Sequence, residues 1–228
     1  MRGLIVSSLF LPNATKMMCG MPSKKLSAQE KVTQEWDAMA GEWDDLAAGY
    51  AKGFSQLLPP LDENMVIVDF GCGTGLLTGL LRSRAERIIA MDASSKMIEV
   101  LDDKIRASEW SNVEAMAVVL SQMNEEQSQR VGTLDGSIDL IVASSVMSFV
   151  PEEDLEATMQ QIGKMLKPGG RFIHSDWPKS EAKHPDAMST DKAEKMYLMA
   201  GLQLERTEIT RLPGNEEMEV FFGIARKD

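Results

Sequence analysis

The hydrophobic positions of the chain follow two patterns, a helical spacing near its start and short continuous apolar runs further on. From Val32 to Tyr50 apolar residues recur every three or four positions, which predicts an amphipathic helix that Gly41 can split. Ser27 and Glu30 match a capping box in front of this pattern. Ordered structure is therefore expected to begin at residue 27.

Beyond residue 64, apolar runs typical of buried parallel strands alternate with helical patterns. The predicted strands are 65–70, 87–92, 113–120, 138–143, 171–175, 202–209 and 219–225, the last two flanking a turn at 213–215. The predicted helices are 76–82, one capped by Ser94 or Ser95, one starting at Pro151 and ending before 168–170, and 191–200. A polar stretch to Ser137 follows the third strand. This alternation predicts an α/β fold with one doubly wound sheet, mostly parallel with an antiparallel last strand.

Length and charge restrict the function classes. A chain of 228 residues fits one α/β domain, expected here over 27–228. Its net charge of −11 argues against a nucleic-acid substrate, since phosphate binding requires a concentrated basic surface. No apolar run approaches the roughly 18 residues of a membrane span, so no membrane partner is expected. Two cysteines are too few for a disulfide framework, which indicates a reducing compartment.

The first 26 residues differ from the remainder. They contain four basic residues and no acidic one, and a short apolar run from Leu4 to Leu11 ends at Pro12. One interpretation is a loose leader, which leaves a cytoplasmic protein; the other is a targeting segment that directs the chain to an organelle.

A glycine-rich loop, Asp69-Phe70-Gly71-Cys72-Gly73-Thr74-Gly75, stands between the first predicted strand and the next helix. Its glycines permit positive φ angles and close approach of a ligand to the backbone, and the helix that follows offers unpaired N–H groups. Asp92 ends the second strand, where α/β folds place a ribose-binding carboxylate. A dinucleotide fingerprint requires glycine at position 76, and Leu76 stands there, which disfavours a nicotinamide cofactor.

This order of strand, glycine loop, helix, strand and acid resembles the class I S-adenosylmethionine-dependent methyltransferases, in particular the small-molecule "type 11" group. Further similarity lies in Asp92–Met97, Ser137–Val142 and Met165–Phe172, so that the resemblance spans about half of the chain, 65–177. It implies a Rossmann-like fold, S-adenosyl-L-methionine as cofactor, no metal, and an N-terminal helical cap over the cofactor cleft.

The resemblance also implies which residues contact the cofactor. They are Asp69, Gly71, Cys72, Gly73, Gly75, Asp92, Ala93, Met97 and Ser121. The loop would hold the methionine end, Asp92 would accept the ribose hydroxyls, and the last three would flank the adenine. The chain departs from the family pattern twice: Val118-Val119-Leu120 replace an acidic adenine ligand, and Ser148-Phe149 replace a histidine pair.

Direct methyl transfer requires no fixed catalytic group, because the sulfonium already activates the methyl carbon. His174 and Asp176, near the end of the fifth strand, are candidates for a proton acceptor, and a structural role competes with this one. The aromatic residues Trp36, Trp43 and Tyr50 either line the substrate entrance or pack in the core.

The expected function is in-line methyl transfer to a small organic acceptor. A non-catalytic S-adenosylmethionine-binding regulatory protein and a methyltransferase acting on protein remain alternatives. The sequence does not indicate the oligomeric state.

Overall fold

A seven-stranded sheet forms the centre of the computed structural model, which describes residues 26–179 and 187–228. Its strands are β1 Val66–Phe70, β2 Arg87–Asp92, β3 Val113–Ala117, β4 Ile138–Ser144, β5 Leu166–Asp176, β6 Leu202–Leu212 and β7 Asn215–Lys227. They lie in the order β3-β2-β1-β4-β5-β7-β6, with β1 to β5 parallel and β7 antiparallel to both of its neighbours. The expected doubly wound, mostly parallel sheet with an antiparallel last strand is confirmed.

Helices cover both faces of the sheet because its central strands are apolar on both sides. Over the described ranges they are α1 Ala28–Met39, α2 Trp43–Leu57, α3 Leu76–Leu81, α4 Ser95–Ala107, α5 Glu125–Gly132, α6 Glu152–Met165 and α7 Thr190–Met199. Phe54 of α2 and Leu81 of α3 pack on one face with Ile67, and Met159 of α6 packs on the other with Val68. Successive residues of β1 therefore serve the two halves of the core.

The N-terminal helical pattern folds as two helices. Ser27 caps α1 through the expected capping box, in which its hydroxyl accepts from the Glu30 N–H and the Glu30 carboxylate accepts from the Ser27 N–H. A turn over residues 40–42 ends α1, so the predicted break at Gly41 is confirmed. Residues 1–25, and with them both interpretations of the leader, lie outside the described residues.

Several elements differ from the prediction, among them β6 and β7, which are both longer than expected. The polar stretch before Ser137 contains α5, which begins with a reciprocal capping box between Asn124 and Gln127. β3 ends at Ala117, before the apolar residues 118–120. β5 begins at Leu166, because a bulge in its pairing with β4 accommodates residues 168–170 inside the strand. None of these differences moves the loops at the carboxyl ends of β1 and β2.

No helix within the described ranges is long and apolar enough to cross a membrane.

Candidate active site

A cavity of about 220 Å³ opens between the carboxyl ends of the central strands and the helix pair α1–α2. The strand order reverses between β1 and β4, and open α/β sheets bind ligands in the crevice at such a reversal. The loops after β1 and β2 form one side of the cavity, residues 118–120 and 144–146 form its floor, and the helix pair covers it. Topology therefore places the glycine loop and Asp92 at one site.

The glycine loop requires glycine at three positions. Gly71, Gly73 and Gly75 have φ angles of 70°, 54° and 81°, which L side chains rarely adopt. A Cβ at Gly73 would lie 2.7 Å from Nε1 of Trp43 in the cap, and one at Gly75 would collide with Leu101 of α4. The loop is thus closely packed by both the cap and α4, and its glycines offer only backbone to the cavity.

Asp92 joins the two loops that face the cavity. Its Oδ2 accepts a hydrogen bond of 2.8 Å from the Gly73 N–H, and its Oδ1 accepts one of 2.8 Å from the Ser94 N–H. Burial raises the pKa of Asp92, although these N–H groups favour its charged form. The Ala93 N–H also favours the charged form, and the carboxylate keeps acceptor capacity for a donor inside the cavity.

Asp69 is a buried carboxylate that is only half satisfied. Its Oδ2 accepts a hydrogen bond of 2.5 Å from the Thr78 hydroxyl, whereas its Oδ1 has no hydrogen-bond partner among the described residues. Burial raises the pKa of Asp69 to about 7; the Thr78 hydroxyl lowers it and the charge of Asp92 raises it further. A buried polar atom without a partner is costly, and Asp69 lines the cavity. Asp69 therefore keeps a buried acceptor at the edge of the cavity, and a cationic donor would satisfy it.

The other predicted cofactor residues divide into two groups. Cys72, Ala93 and Met97 line the cavity beside Asp92, whereas Gly75 and Ser121 do not. Gly75 is the N-cap of α3, and the Ser121 hydroxyl is buried without a partner in the described part of the chain. Burial raises the pKa of the Cys72 thiol well above its ordinary value, which keeps the thiol protonated.

His174 and Asp176 form a buried network away from the cavity. His174 Nδ1 lies 2.7 Å from Asp176 Oδ2, and His174 Nε2 lies 2.8 Å from the Tyr197 hydroxyl. Asp176 Oδ1 accepts a hydrogen bond of 3.0 Å from the Ser148 N–H. Neither His174 nor Asp176 lines the cavity, and both ring nitrogens have partners. This arrangement favours the structural role for the pair.

Aromatic side chains form a large part of the cavity wall. Trp36, Trp43 and Tyr50 all line it, so the stripe faces the cavity as one of its two interpretations requires. Phe149 and Trp177, which follow β4 and β5, complete the wall. In the sequence, the signal for Phe149 is its position after a predicted parallel strand. Residues at such positions lie at the ligand-binding edge of the sheet.

Two acidic residues attach the cap to the loops, and the sequence analysis did not identify either of them. Asp37 of α1 accepts a hydrogen bond of 2.6 Å from the Ser94 hydroxyl. Asp44 of α2 accepts one of 2.6 Å from the Thr74 hydroxyl and one of 2.7 Å from Lys104 Nζ. In sequence these residues are ordinary acids on the polar side of amphipathic helices.

The described ranges hold no group of three histidine, cysteine or acidic side chains placed to bind a metal ion.

Comparison with known proteins identifies a family. Residues 43–216 match the family model of a methyltransferase domain. An uncharacterized methyltransferase of Schizosaccharomyces pombe is 31% identical over 114 residues, which are 50% of this chain and 39% of the relative. A trans-aconitate 2-methyltransferase of an Azoarcus species is 28% identical over 113 residues, 49% of this chain and 38% of the relative. An 18S rRNA (guanine-N(7))-methyltransferase of S. pombe is 27% identical over 150 residues, 64% of this chain and 53% of the relative. The chain thus spans about two-fifths to one-half of the length of these relatives.

Solved structures share the fold. A SAM-dependent methyltransferase from Aquifex aeolicus has a TM-score of 0.65 at 17% identity, covering 84% of this chain and 98% of its own. A magnesium protoporphyrin IX methyltransferase from Synechocystis PCC 6803, with bound SAM, has a TM-score of 0.65 at 17% identity, covering 90% of this chain and 100% of its own. The Rossmann-like methyltransferase fold expected from the sequence is therefore confirmed.

Proposed function

Because the chain belongs to the methyltransferase-domain family, whose cofactor is S-adenosyl-L-methionine, we propose that it transfers the cofactor's methyl group to a small organic acceptor. The transfer is a direct in-line displacement between two molecules held in one cavity. When bound, the cofactor supplies a methyl carbon that its sulfonium has already activated. The chain's own residues bind and orient the reactants and exclude water.

The observation that carries the proposal is the pair of carboxylates with unused hydrogen-bonding capacity, Asp69 and Asp92. The unpartnered Oδ1 of Asp69 suits the ammonium group at the methionine end. The remaining lone pairs of Asp92 suit two ribose hydroxyls. Between the two carboxylates, Gly71 and Gly73 offer backbone alone, which permits close approach of a ligand.

The apolar segment Val118-Val119-Leu120 is proposed as the adenine wall. All three residues line the cavity together with Ala93 and Met97, so an adenine ring placed there has apolar contacts on its faces. Ser121 lies behind this wall rather than in it. Gly75 is proposed to act through the conformation of the loop, not through contact.

His174 and Asp176 are proposed as positioning residues. Asp176 accepts a hydrogen bond from the Ser148 N–H. This bond fixes the segment that contains Val146 and Phe149, both of which line the cavity. No imidazole or amine lines the described part of the cavity, which agrees with a transfer that depends on alignment rather than on a strong base.

A small organic acceptor is proposed over nucleic acid because of charge. The chain carries 35 acidic against 24 basic residues, and no lysine or arginine lines the described cavity. A cytoplasmic location is proposed on the low cysteine content, and a location set by residues 1–26 stays the alternative. One relative is named as an 18S rRNA methyltransferase, so an experiment has to exclude nucleic acid as the acceptor.

The test uses methyl-tritiated S-adenosylmethionine and an extract of the source cells separated into small molecules, protein and nucleic acid. We expect the protein to label the small-molecule fraction, and Asp92→Ala to reduce the label strongly at a limiting cofactor concentration. Label in protein or nucleic acid would assign the acceptor to that class instead. No label in any fraction, from a protein that binds the cofactor, would contradict methyl transfer.

A further inference from the structure

We propose that the acceptor is an uncharged, predominantly apolar molecule, with at most a neutral hydrogen-bonding group at the methylated end. This inference rests on the proposed function, since it concerns the half of the same cavity that the cofactor residues leave open. The charged groups, aromatic rings and hydroxyls that line the cavity support it.

The charges in the cavity exclude an anionic acceptor. The ionisable side chains in the described lining are Asp69, Asp92, Tyr50 and Cys72, of which Tyr50 and Cys72 are neutral at neutral pH. Carboxylates and phosphates are recognised by arginine or lysine, and none lines the described cavity. Lys104, which lies nearby on α4, is engaged with Asp44 and the Thr74 carbonyl. An anionic acceptor would therefore be desolvated without a counter-charge from the side chains of the described lining.

A cationic acceptor lacks a carboxylate at its own end of the cavity. Asp69 and Asp92 line the cavity, but the proposed function engages both of them with the cofactor. Asp37 and Asp44 are engaged with Ser94, Thr74 and Lys104 in the attachment of the cap. A positive charge on the acceptor would be stabilised only by the faces of aromatic rings. It would also lie near the positively charged sulfonium, which would repel it.

The acceptor end of the cavity is built of aromatic rings from several elements. Trp36 of α1 packs edge-to-face on Trp43 of α2, with ring centroids 5.3 Å apart, and on Phe149, 5.1 Å away. Tyr50 and Trp177 meet at 6.1 Å on the neighbouring side. All five side chains are only half-buried and line the cavity. Such rings provide large apolar contact area at a low cost in side-chain entropy.

The polar groups in this part of the cavity are neutral, and they include hydroxyls, the indole N–H groups and the Gln29 amide. The Tyr50 hydroxyl lies 3.0 Å from the Ser175 hydroxyl, and Ser145 lines the cavity beside Tyr50. Burial raises the pKa of Tyr50, so its phenol remains a neutral donor or acceptor. Ser145 has a φ of 60°, a strained conformation for serine that its 2.7 Å hydrogen bond to the Ser175 carbonyl maintains. These groups fit a hydroxyl or another neutral polar atom.

The test compares three probes with the same ring system and different charge. They are 2-naphthalenemethanol, which is neutral, 2-naphthoate, which is anionic, and 2-naphthylmethylammonium, which is cationic. Equilibrium dialysis measures their Kd for the full chain in the presence of S-adenosyl-L-homocysteine. We expect the neutral probe to bind at least tenfold more tightly than either charged probe. Equal or tighter binding of a charged probe, or no binding of the neutral one, would overturn the inference.

Variants locate the probe in this cavity. Phe149→Ala removes one ring of the wall and should weaken the neutral probe at least fivefold. Leu198→Ala, at a side chain of α7 that is 76% exposed, is the control and should leave binding unchanged. Titration with S-adenosyl-L-homocysteine alone separates the two proposals. If the homocysteine product binds and the neutral probe does not, the acceptor class is wrong and the proposed function stands; if the product does not bind, the proposed function fails first.

Discussion

Asp44 of the second helix accepts a hydrogen bond of 2.6 Å from the hydroxyl of Thr74 in the glycine loop. Lys104 Nζ donates to the same carboxylate and to the Thr74 carbonyl, so α2, the loop and α4 meet at one point. Asp37 of α1 makes a corresponding contact with Ser94 in the loop after β2. The cap is therefore attached to both loops that are proposed to hold the cofactor, and ordering either loop should stabilise the closed cap.

Amide hydrogen exchange across residues 28–52 should slow when S-adenosyl-L-homocysteine is added. A ligand that fills the cavity stabilises only the closed arrangement of α1 and α2. The helix α6 is the internal control, since it packs in the scaffold, and its exchange should change less. Equal protection of the two regions with and without ligand would contradict a lid and leave the aromatic stripe as part of the core.

Asp44→Ala should weaken binding of the homocysteine product by up to about fivefold. The Asp44 side chain is 47% exposed in its pair with Lys104, and an ion pair this exposed contributes about 1 kcal/mol or less. Asp45→Ala, at the adjacent exposed acid, is the matched control. Calorimetric titration at low and high salt tests whether the effect is electrostatic, since salt should reduce the difference in affinity between the native protein and Asp44→Ala. Identical affinities would mean that the contact with Thr74 does not stabilise the loop.

The stability of the protein without cofactor should fall as pH rises towards neutrality, because of Asp69. Burial raises the folded-state pKa of this group to about 7, above its ordinary value of 3.8 in an unfolded chain. The folded state then binds the proton more tightly, so this contribution is fully present below about pH 4 and is lost as pH rises through about 7. Asp69→Asn keeps the shape and should remove this part of the pH dependence in urea unfolding. An unchanged pH profile would show that Asp69 ionises normally.

Gly75→Ala should destabilise the fold more than Gly214→Ala. Both glycines have a φ of 81°, so both substitutions incur the same backbone strain, about 1–2 kcal/mol. Only at Gly75 does the new Cβ collide with another side chain, that of Leu101, whereas Gly214 has open space. Overpacking adds about 1–3 kcal/mol. Urea denaturation measures both free energies of unfolding, and equal losses would contradict the packing of the loop against α4.

The sequence predicted those parts of the fold that local signals specify. The run Arg87–Asp92 matches β2 to the residue, because an apolar segment between polar neighbours defines a buried strand. Helix α5 could not be predicted from apolar spacing, since Val131 is its only buried residue and it has no stripe. Its start was nevertheless visible as Asn124 and Gln127, which form the capping box.

The candidate site likewise contains residues that local sequence signals identify and residues that they do not. The glycine loop and Asp92 were identified because their residue types and spacing carry the signal. Asp44 was not, because its role depends on Thr74 and Lys104, which are 30 and 60 positions away in sequence. Phe149 likewise becomes a wall residue only through its contact with Trp36 across the cavity. Contacts of this kind arise from tertiary structure and leave no local pattern.

Calorimetric titration with S-adenosyl-L-homocysteine and with NAD, on the native protein and on Asp92→Ala, tests the central claim most directly. Asp92 also holds the N–H groups of Gly73 and Ser94, so an unfolding curve accompanies each titration. We expect the native protein and the surface control Asp135→Ala to bind the homocysteine product and not NAD. Asp92→Ala should lose roughly 2–4 kcal/mol of that affinity, because two hydrogen bonds to a charged acceptor disappear. Binding of NAD without binding of the homocysteine product, or a folded Asp92→Ala variant with native affinity, would contradict the account.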